Sequence, residues 1–186
     1  MRGFDSAYCY GPYEGVLREL VHVFKYGRVR TLAAPLGARL LEALPAEEAF
    51  DLIVPVPLHW RRRWQRGFNQ SELLGKEISR HIGIPLANVL RRGRATATQA
   101  GLSNTARRSN VRTAFQGRRF AESLVRGKRV LLIDDVMTTG STAAACAVAL
   151  KKAGAAHVTL LTAARVDRRF EVEPVAVQSG RREETN

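Results

Sequence analysis

Short apolar runs alternate along the chain with segments in which apolar residues recur every three or four positions. The apolar runs predict six strands, at 5–10, 51–58, 84–91, 112–115, 128–134 and 157–165. The periodic segments predict four helices, at 14–26, 32–44, 70–81 and 142–153. Strands that alternate with helices indicate an α/β fold with a mainly parallel sheet flanked by helices.

The residues at the start of the third predicted helix match a known N-terminal capping pattern. Asn69 is a good N-cap residue, and Glu72 follows three positions later, which is the spacing of a capping box.

Segment 93–110 has little apolar content and no period, so it predicts a long exposed loop, which is usually functional or disordered. We therefore expect a small N-terminal segment of hood-like helices (1–48), a core (49–170) and a loosely ordered tail (171–186).

Positive charge is concentrated in the middle of the chain. The net charge is +13, from 30 basic and 17 acidic residues, and only five of the basic residues are Lys. Residues 59–129 hold 17 Lys or Arg against three Glu, a net of +14, whereas the rest of the chain is close to neutral. A basic central region implies a polyanionic ligand, either nucleic acid or a phosphorylated small molecule.

Several classes of protein are excluded by the composition. No apolar run approaches the ~18 residues that span a bilayer, and the N-terminus lacks the apolar region of a signal peptide, so we expect a cytoplasmic protein without membrane insertion. Cys9 and Cys146 are too few for a disulfide scaffold or a zinc site, and we expect each to be a small buried hydrophobe. The histidines have no metal-ligand spacing and are expected to be structural or exposed: His22, His59, His81 and His157.

The segment VLLIDDVMTTGST (130–142) combines an apolar strand, two carboxylates and a loop of hydroxyl residues before a helix. Side chains alternate faces along a strand, so Asp134 and Asp135 diverge unless the strand ends there; if the chain turns, both can face a ligand with hydroxyls. The helix N-terminus after the loop favours a phosphate, and Gly140 lets the backbone approach it. This order indicates a sugar phosphate site, with the alternative that these side chains only cap the turn and the helix. The loop residues are Val136, Met137, Thr138, Thr139, Gly140, Ser141 and Thr142.

VLLIDDVMTTGST resembles the 5-phosphoribosyl-1-pyrophosphate (PRPP) motif of type I phosphoribosyltransferases. Three further segments resemble the ComF family of competence proteins and their phosphoribosyltransferase-like relatives: EGVLRELVHVFKYGR (14–28), VPVPLHWRRRWQRGFNQSELL (54–74) and QAGLSNTARRSNVRTAF (99–115). The resemblance covers nearly the whole chain to about Arg165 and implies a type I phosphoribosyltransferase-like fold. ComF-type proteins often begin with a four-Cys module that looks zinc-binding; this sequence has none, so we expect a short member or a start upstream of Met1, and no zinc.

The resemblance implies roles for particular positions. Asp134 and Asp135 would hold the ribose hydroxyls of PRPP, with Mg²⁺ bound indirectly through water, and residues 136–142 would wrap the 5′-phosphate. Candidates for the pyrophosphate loop are Pro57, Leu58, His59, Arg61, Arg63 and Arg66. Candidates for a mobile lid are Arg107, Arg108 and Asn110. A homodimer is common among phosphoribosyltransferases, but no residue pattern here identifies an interface.

The segment HWRRRWQRGF leaves the function open between two classes. Trp60, Trp64 and Phe68 recur every four residues, so a helix would place them in one stripe beside the arginines. The stripe could pack on the core, the arginines could clamp pyrophosphate, or the aromatics could stack on bases in a basic groove. In the first, the protein is a phosphoribosyltransferase that transfers the phosphoribosyl group from PRPP to an unknown acceptor, for which a nucleobase is one candidate. The alternative is a non-catalytic DNA-uptake protein that binds single-stranded DNA with the same fold.

Overall fold

A parallel four-stranded sheet forms the centre of the computed structural model, which describes residues 3–27, 29–58, 64, 66–93 and 115–166. Its strands, in the order β1-β6-β5-β2, are β1 (Ser6–Pro12), β2 (Leu52–Pro55), β5 (Arg129–Met137) and β6 (His157–Arg165). A separate antiparallel pair consists of β3 (Leu90–Arg92) and β4 (Phe115–Gly117). The predicted α/β class with a parallel sheet is confirmed.

Helices lie between the strands, as the apolar periodicity predicted. They are α1 (Gly15–Tyr26), α2 (Ala33–Glu42), α3 (Gln70–Ile82), α4 (Ala121–Val125) and α5 (Ser141–Lys152). A short 3-10 turn over Arg30–Leu32 leads into α2, which is therefore shorter than the predicted 32–44. The five-residue helix α4 was not predicted, because a single turn is too short to show a period.

Two apolar clusters cover opposite faces of the sheet. Val130 and Leu132 of β5 face one cluster, which contains Cys146 and Leu150 of α5. The alternate residues of β5, Leu131 and Ile133, face the other cluster, to which α1, α2 and α3 contribute Phe24, Leu36, Leu40, Leu74 and Ile78. Because both faces are covered, β5 is apolar at every position from Val130 to Ile133 rather than alternating.

Several element boundaries differ from the predicted ones. β5 continues to Met137, three residues past the predicted end, because it keeps pairing with β6 as far as Arg165. β2 ends at Pro55 instead of residue 58, since Pro57 has no N–H for the ladder. The predicted strand at 84–91 is reduced to β3 and a single bridge from Leu86 to Ile53. Most of the predicted loop at 93–110, the start of the predicted strand at 112–115 and the tail at 171–186 lie outside the described residues.

The predicted capping box at the start of α3 is wrong, although Asn69 does occupy the N-cap position. The side chain of Asn69 donates a hydrogen bond to the carbonyl oxygen of Val56 at 3.0 Å, and Glu72 pairs with Lys76 at 3.1 Å. The Val56 carbonyl lies just past the end of β2 and is buried, so a donor for it outweighs a local cap. This hydrogen bond ties the start of α3 to the residues that follow β2.

The histidines and cysteines of the described part of the chain have structural contacts. Cys146 is buried as predicted, whereas Cys9 is only partly buried and contacts the carbonyl oxygen of Gly11; both are free thiols. His22 packs on Tyr26, His81 contacts the Glu77 carbonyl oxygen, and His157 lies 3.6 Å from the Asp5 carboxylate. Within the described ranges, no helix combines the length and the apolar character needed to cross a bilayer.

Candidate functional site

A cleft of about 280 Å³ opens at the edge of the sheet where β2 and β5 end. Its walls come from segments far apart in the sequence: residues 56–58 after β2, residues 69–71 at the start of α3, and residues 134–136 of β5. Lys25 of α1 and Tyr13 line it from the N-terminal side, and Arg66 and Arg92 add two guanidinium groups. Parallel α/β sheets bind their ligands at this edge, so the position supports a binding site.

Asp134 and Asp135 both line this cleft, but their surroundings differ. Asp134 is half-buried and accepts hydrogen bonds from the Ser71 hydroxyl at 3.1 Å and from the Asp135 N–H at 2.9 Å. Burial, together with the negative charge of Asp135, raises the pKa of Asp134 to about 7. Asp135 instead forms an ion pair with Lys25 at 3.2 Å, and each of these two side chains is only 14% exposed.

The two carboxylates share the cleft without the turn that the sequence suggested. The chain does not leave the sheet at Asp134, since β5 runs on to Met137. Asp134 reaches Ser71 on α3, while Asp135 reaches Lys25 on α1, so the pair spreads between two neighbouring helices. Both charges nevertheless face the same cavity, because α1 and α3 wall it together.

The loop between β5 and α5 borders a second cavity, of about 240 Å³. Gly140 precedes α5 with φ of +73°, a left-handed conformation that favours glycine. The hydroxyls of Thr139 and Ser141 lie 2.8 Å apart, and the Ser141 N–H points to Thr139 Oγ1 at 3.3 Å. Every residue of the predicted 5′-phosphate loop, 136–142, lines the cleft or this second cavity, and Thr138 lines both.

The predicted pyrophosphate residues are only partly described. Pro57, Leu58 and Arg66 line the cleft. His59, Arg61 and Arg63 lie outside the described residues, as do the lid candidates Arg107, Arg108 and Asn110. The guanidinium of Arg66 donates to Gln70 Oε1 at 3.2 Å and to the Tyr26 hydroxyl at 3.3 Å, which fixes its position at the cleft.

Comparison with known proteins agrees with this architecture. Residues 69–177 match the family described as phosphoribosyl transferase domain. DNA utilization protein YhgH of Escherichia coli (strain K12) is 41% identical over 153 residues, which cover 78% of this chain and 66% of that protein. Competence protein F of Haemophilus influenzae is 36% identical over 169 residues, which cover 87% of this chain and 73% of that protein.

The chain belongs to the ComF family. Measured against YhgH, it spans about two thirds of the relative's length. A solved structure, a glutamine PRPP amidotransferase from B. subtilis complexed with ADP and GMP, superposes with a TM-score of 0.50 and 23% identity. The match covers 71% of this chain and 26% of the other, and at this identity it supports the fold alone. The phosphoribosyltransferase-like fold of this ComF-family protein is thus confirmed.

Several residues of the ComF-family cleft were not singled out from the sequence. Lys25 looked like an ordinary charge at the end of an amphipathic helix, and nothing local relates it to Asp135. Ser71 and Gln70 are buried polar residues in the first turn of α3. Gln70 precedes Leu74 and Ile78 at spacings of four, so a polar residue on the apolar face of this helix was the available signal.

The aromatic stripe that a helix over HWRRRWQRGF would form is not present in the described part of this segment. Phe68 is 7% exposed and packs on Phe24, with ring centroids 5.7 Å apart. Trp64 is 89% exposed. Gly67, with φ of +77°, breaks any helix between them, so the two aromatics cannot share a helical face. Packing on the core therefore applies to Phe68, while Trp64 is available to a partner; Trp60 lies outside the described residues.

The side chains of the cleft could hold Mg²⁺ only if a bound ligand supplied most of the oxygen atoms around the ion. Carboxylate oxygens suit Mg²⁺, but Asp135 is already paired with Lys25. In the described part of the chain, no group of three or more His, Cys, Asp or Glu could hold a metal ion. Asp134 and Asp135 would then contact the water shell of the ion, and most of its coordination would come from phosphate or hydroxyl oxygens of the ligand.

Proposed function

We propose that this ComF-family protein is a phosphoribosyltransferase that binds PRPP with Mg²⁺, transfers the phosphoribosyl group to an acceptor and releases pyrophosphate. One observation carries the proposal: the paired carboxylates of β5 and the hydroxyl-rich loop before α5 border two cavities that share Thr138. A ribose with a phosphate on its 5′ carbon has its hydroxyls and its phosphate on opposite sides, as these two groups are arranged.

Each of the two cavities suits a different part of the sugar phosphate. Asp134 and Asp135 accept hydrogen bonds from ribose hydroxyls when they are ionised. Residues 138–141 offer hydroxyls and backbone N–H groups at the start of α5, where the helix dipole favours the 5′-phosphate. Arg165 borders the same cavity from the end of β6 and adds a positive charge.

The reaction that fits this arrangement is a substitution at the anomeric carbon of the ribose. The bond from C1′ to the pyrophosphate oxygen breaks with its electron pair on pyrophosphate. The acceptor's lone pair forms the new bond to C1′, and the acceptor's proton leaves to water. Positive charge that develops on the ribose is stabilised by the carboxylates of Asp134 and Asp135. Arg66 and Arg92 line the cleft and suit the departing diphosphate, and Mg²⁺, when bound, supplies further neutralisation of its charge.

Calorimetric titration of PRPP in the presence of MgCl₂, followed by pyrophosphate release over a panel of nucleobases, tests this proposal. We expect the wild type to bind PRPP and the Asp134→Asn/Asp135→Asn double variant to lose at least about 100-fold in affinity, since two charge-assisted contacts are removed. Asp51→Asn is a matched control, because Asp51 is exposed at the opposite end of β2 and accepts the Arg129 N–H. Failure of the wild type to bind PRPP would refute the proposed phosphoribosyltransferase activity.

A second candidate is a non-catalytic protein that binds single-stranded DNA. It is favoured by two exposed aromatics, Trp64 at 89% and Tyr26 at 61%, the latter stacked by Arg66 at the cleft. Relatives named for DNA utilization and competence, and the basic central region, support the same candidate.

This candidate predicts DNA affinity that falls steeply between 50 and 200 mM salt. Trp64→Ala, alone and together with Trp60→Ala, should weaken it by about 1–3 kcal/mol per stacked base. Equal affinities for the wild type and both variants would eliminate the stacking surface.

A further inference from the structure

Arg66 is held at the cleft between the last residue of α1 and the first residue of α3. Its Nη1 donates to Gln70 Oε1 at 3.2 Å, and its Nη2 donates to the Tyr26 hydroxyl at 3.3 Å. The guanidinium carbon also lies 5.0 Å from the centroid of the Tyr26 ring. Among the carboxylates of the described ranges, none lies within ion-pair distance of Arg66. The positive charge is thus fixed in place by two neutral groups and is left for a ligand.

Gln70 has no packing reason to be a glutamine. It is 1% exposed, and within the described part of the chain its amide nitrogen Nε2 has no hydrogen-bond partner. Arginine can only donate, so the amide oxygen must face Arg66 and the amide nitrogen must face away from it. An unpaired buried donor costs stability, and an apolar side chain of the same length would avoid this cost. The contact that accounts for the glutamine is therefore its hydrogen bond to Arg66.

The groups around Arg66 indicate which kind of anion it can bind. Asp134 and Asp135 line the cleft, and as carboxylates they repel an anion placed beside them. The loop before α5 borders the second cavity, to which Arg66 does not contribute. Arg66 and Arg92 line the cleft together with residues 56–58. A planar guanidinium with three remaining N–H groups suits a diphosphate, and a pre-positioned arginine loses less conformational entropy on binding it.

We propose that Tyr26 and Gln70 are positioning residues that hold Arg66 for the diphosphate of PRPP. This inference rests on the proposed function and extends it, because it makes the N-terminal helix α1 part of the pyrophosphate subsite. Removal of either partner leaves Arg66 present but mobile, so the loss falls on the diphosphate and spares the sugar phosphate.

The test compares three ligands by calorimetry in MgCl₂: inorganic pyrophosphate, PRPP and ribose 5-phosphate. For Gln70→Met and Tyr26→Phe we expect pyrophosphate and PRPP to bind about 5- to 20-fold more weakly, as for a lost hydrogen bond to a charged group. Ribose 5-phosphate should keep its affinity within about twofold, since the hydrogen bonds of both residues go to Arg66 and not to the carboxylates of β5 or the loop before α5. The melting temperature of Gln70→Met should equal or exceed that of the wild type, because an unpaired buried donor is removed.

Gln116→Met is the matched control. Gln116 on β4 also accepts a hydrogen bond from an arginine, Arg91 Nη2 at 2.9 Å, but both residues are exposed and neither lines the cleft. This variant should bind all three ligands as the wild type does.

The other outcomes overturn either the positioning role or the proposed function. Unchanged pyrophosphate affinity in both cleft variants overturns the positioning role. Equal weakening of all three ligands with a lowered melting temperature also overturns it, by showing a structural role. A wild type that binds pyrophosphate, but neither PRPP nor ribose 5-phosphate, refutes the proposed function, while the pyrophosphate arm still supports or overturns the role of Gln70 and Tyr26.

Discussion

The end of β5 and the start of α3 contribute opposite charges to one cleft, and the two regions compensate those charges differently. At β5, Asp134 and Asp135 stand side by side, and Lys25 is the cation that pairs with the second of them. At α3, Arg66 is held by the neutral side chains of Gln70 and Tyr26. At β5, two adjacent carboxylates repel each other. At α3, among the described residues, the Gln70 amide nitrogen has no hydrogen-bond partner and Arg66 has no carboxylate partner. In both regions, the proposed ligand, with its hydroxyls and diphosphate, would supply the missing partners.

Helix α1 connects the two regions through consecutive residues. Lys25 pairs with Asp135, and Tyr26 binds Arg66. A displacement of the end of α1 would therefore change the acidic and the basic side of the cleft together. The N-terminal helix thus contributes one contact to each charged side of the site, although the recognisable motif lies more than 100 residues away.

The largest effect that separates the two regions is expected from Asp134→Asn. The pKa of Asp134 is raised to about 7, so between about pH 4 and pH 7 the folded protein keeps a proton that the unfolded chain has released. Stability therefore falls as pH rises through this range. Asparagine does not ionise, so at pH 8 the variant should be more stable than the wild type by roughly 2–4 kcal/mol, with little difference at pH 4.

Urea unfolding of the wild type and Asp134→Asn at pH 4 and pH 8 measures this difference. Asp51→Asn again serves as the control and should show no gain at pH 8. The same gain for Asp134→Asn at both pH values would mean that like-charge repulsion and burial do not strain the β5 side of the cleft.

A smaller effect is expected at the loop that follows β5. Gly140→Ala forces alanine into a conformation with φ of +73°, and Gly83→Ala does the same at +70° after α3, where no atom lies within 4 Å of the added methyl group. Both variants should lose about 1 kcal/mol of stability. Only Gly140→Ala should also weaken ribose 5-phosphate, by about tenfold, because its loop borders the second cavity, where we propose that the 5′-phosphate binds. Equal ligand affinities in the two variants would remove the loop from the site.

The smallest effect is expected from Lys25→Met. The Lys25 ammonium lowers the pKa of Asp134, so its removal should raise that pKa slightly further. Titration of the Asp134 carboxyl carbon by NMR in the ligand-free protein measures the change. Lys76→Met is the control, since Lys76 pairs with Glu72 at the surface of α3. An unchanged titration in Lys25→Met would show that α1 does not influence the charge of the acidic side.

The parts of the site that the sequence predicted are those that lie next to each other in the chain. The strand, the carboxylates, the loop and the helix of 130–142 are contiguous, so apolar run length, residue order and helix-end chemistry identify them together. The same local patterns predicted β1, α1, α3, α5 and β6 within a few residues. Local patterns failed at β3 and at the capping residue Asn69, where a distant carbonyl group offered the better partner.

By itself, the sequence determined that a buried strand ends in two carboxylates directly before a loop of hydroxyl residues and Gly140, in a parallel α/β fold. Tertiary structure alone decided which groups meet those carboxylates. Ser71 is 63 positions from Asp134 and Tyr26 is 40 positions from Arg66, separations at which no periodicity or spacing rule applies. The sheet order β1-β6-β5-β2 and the packing of α1 and α3 on one face bring these side chains to a single edge. The raised pKa of Asp134 and the fixed position of Arg66 follow from that packing, because both depend on burial and on neighbours that the chain supplies from a distance.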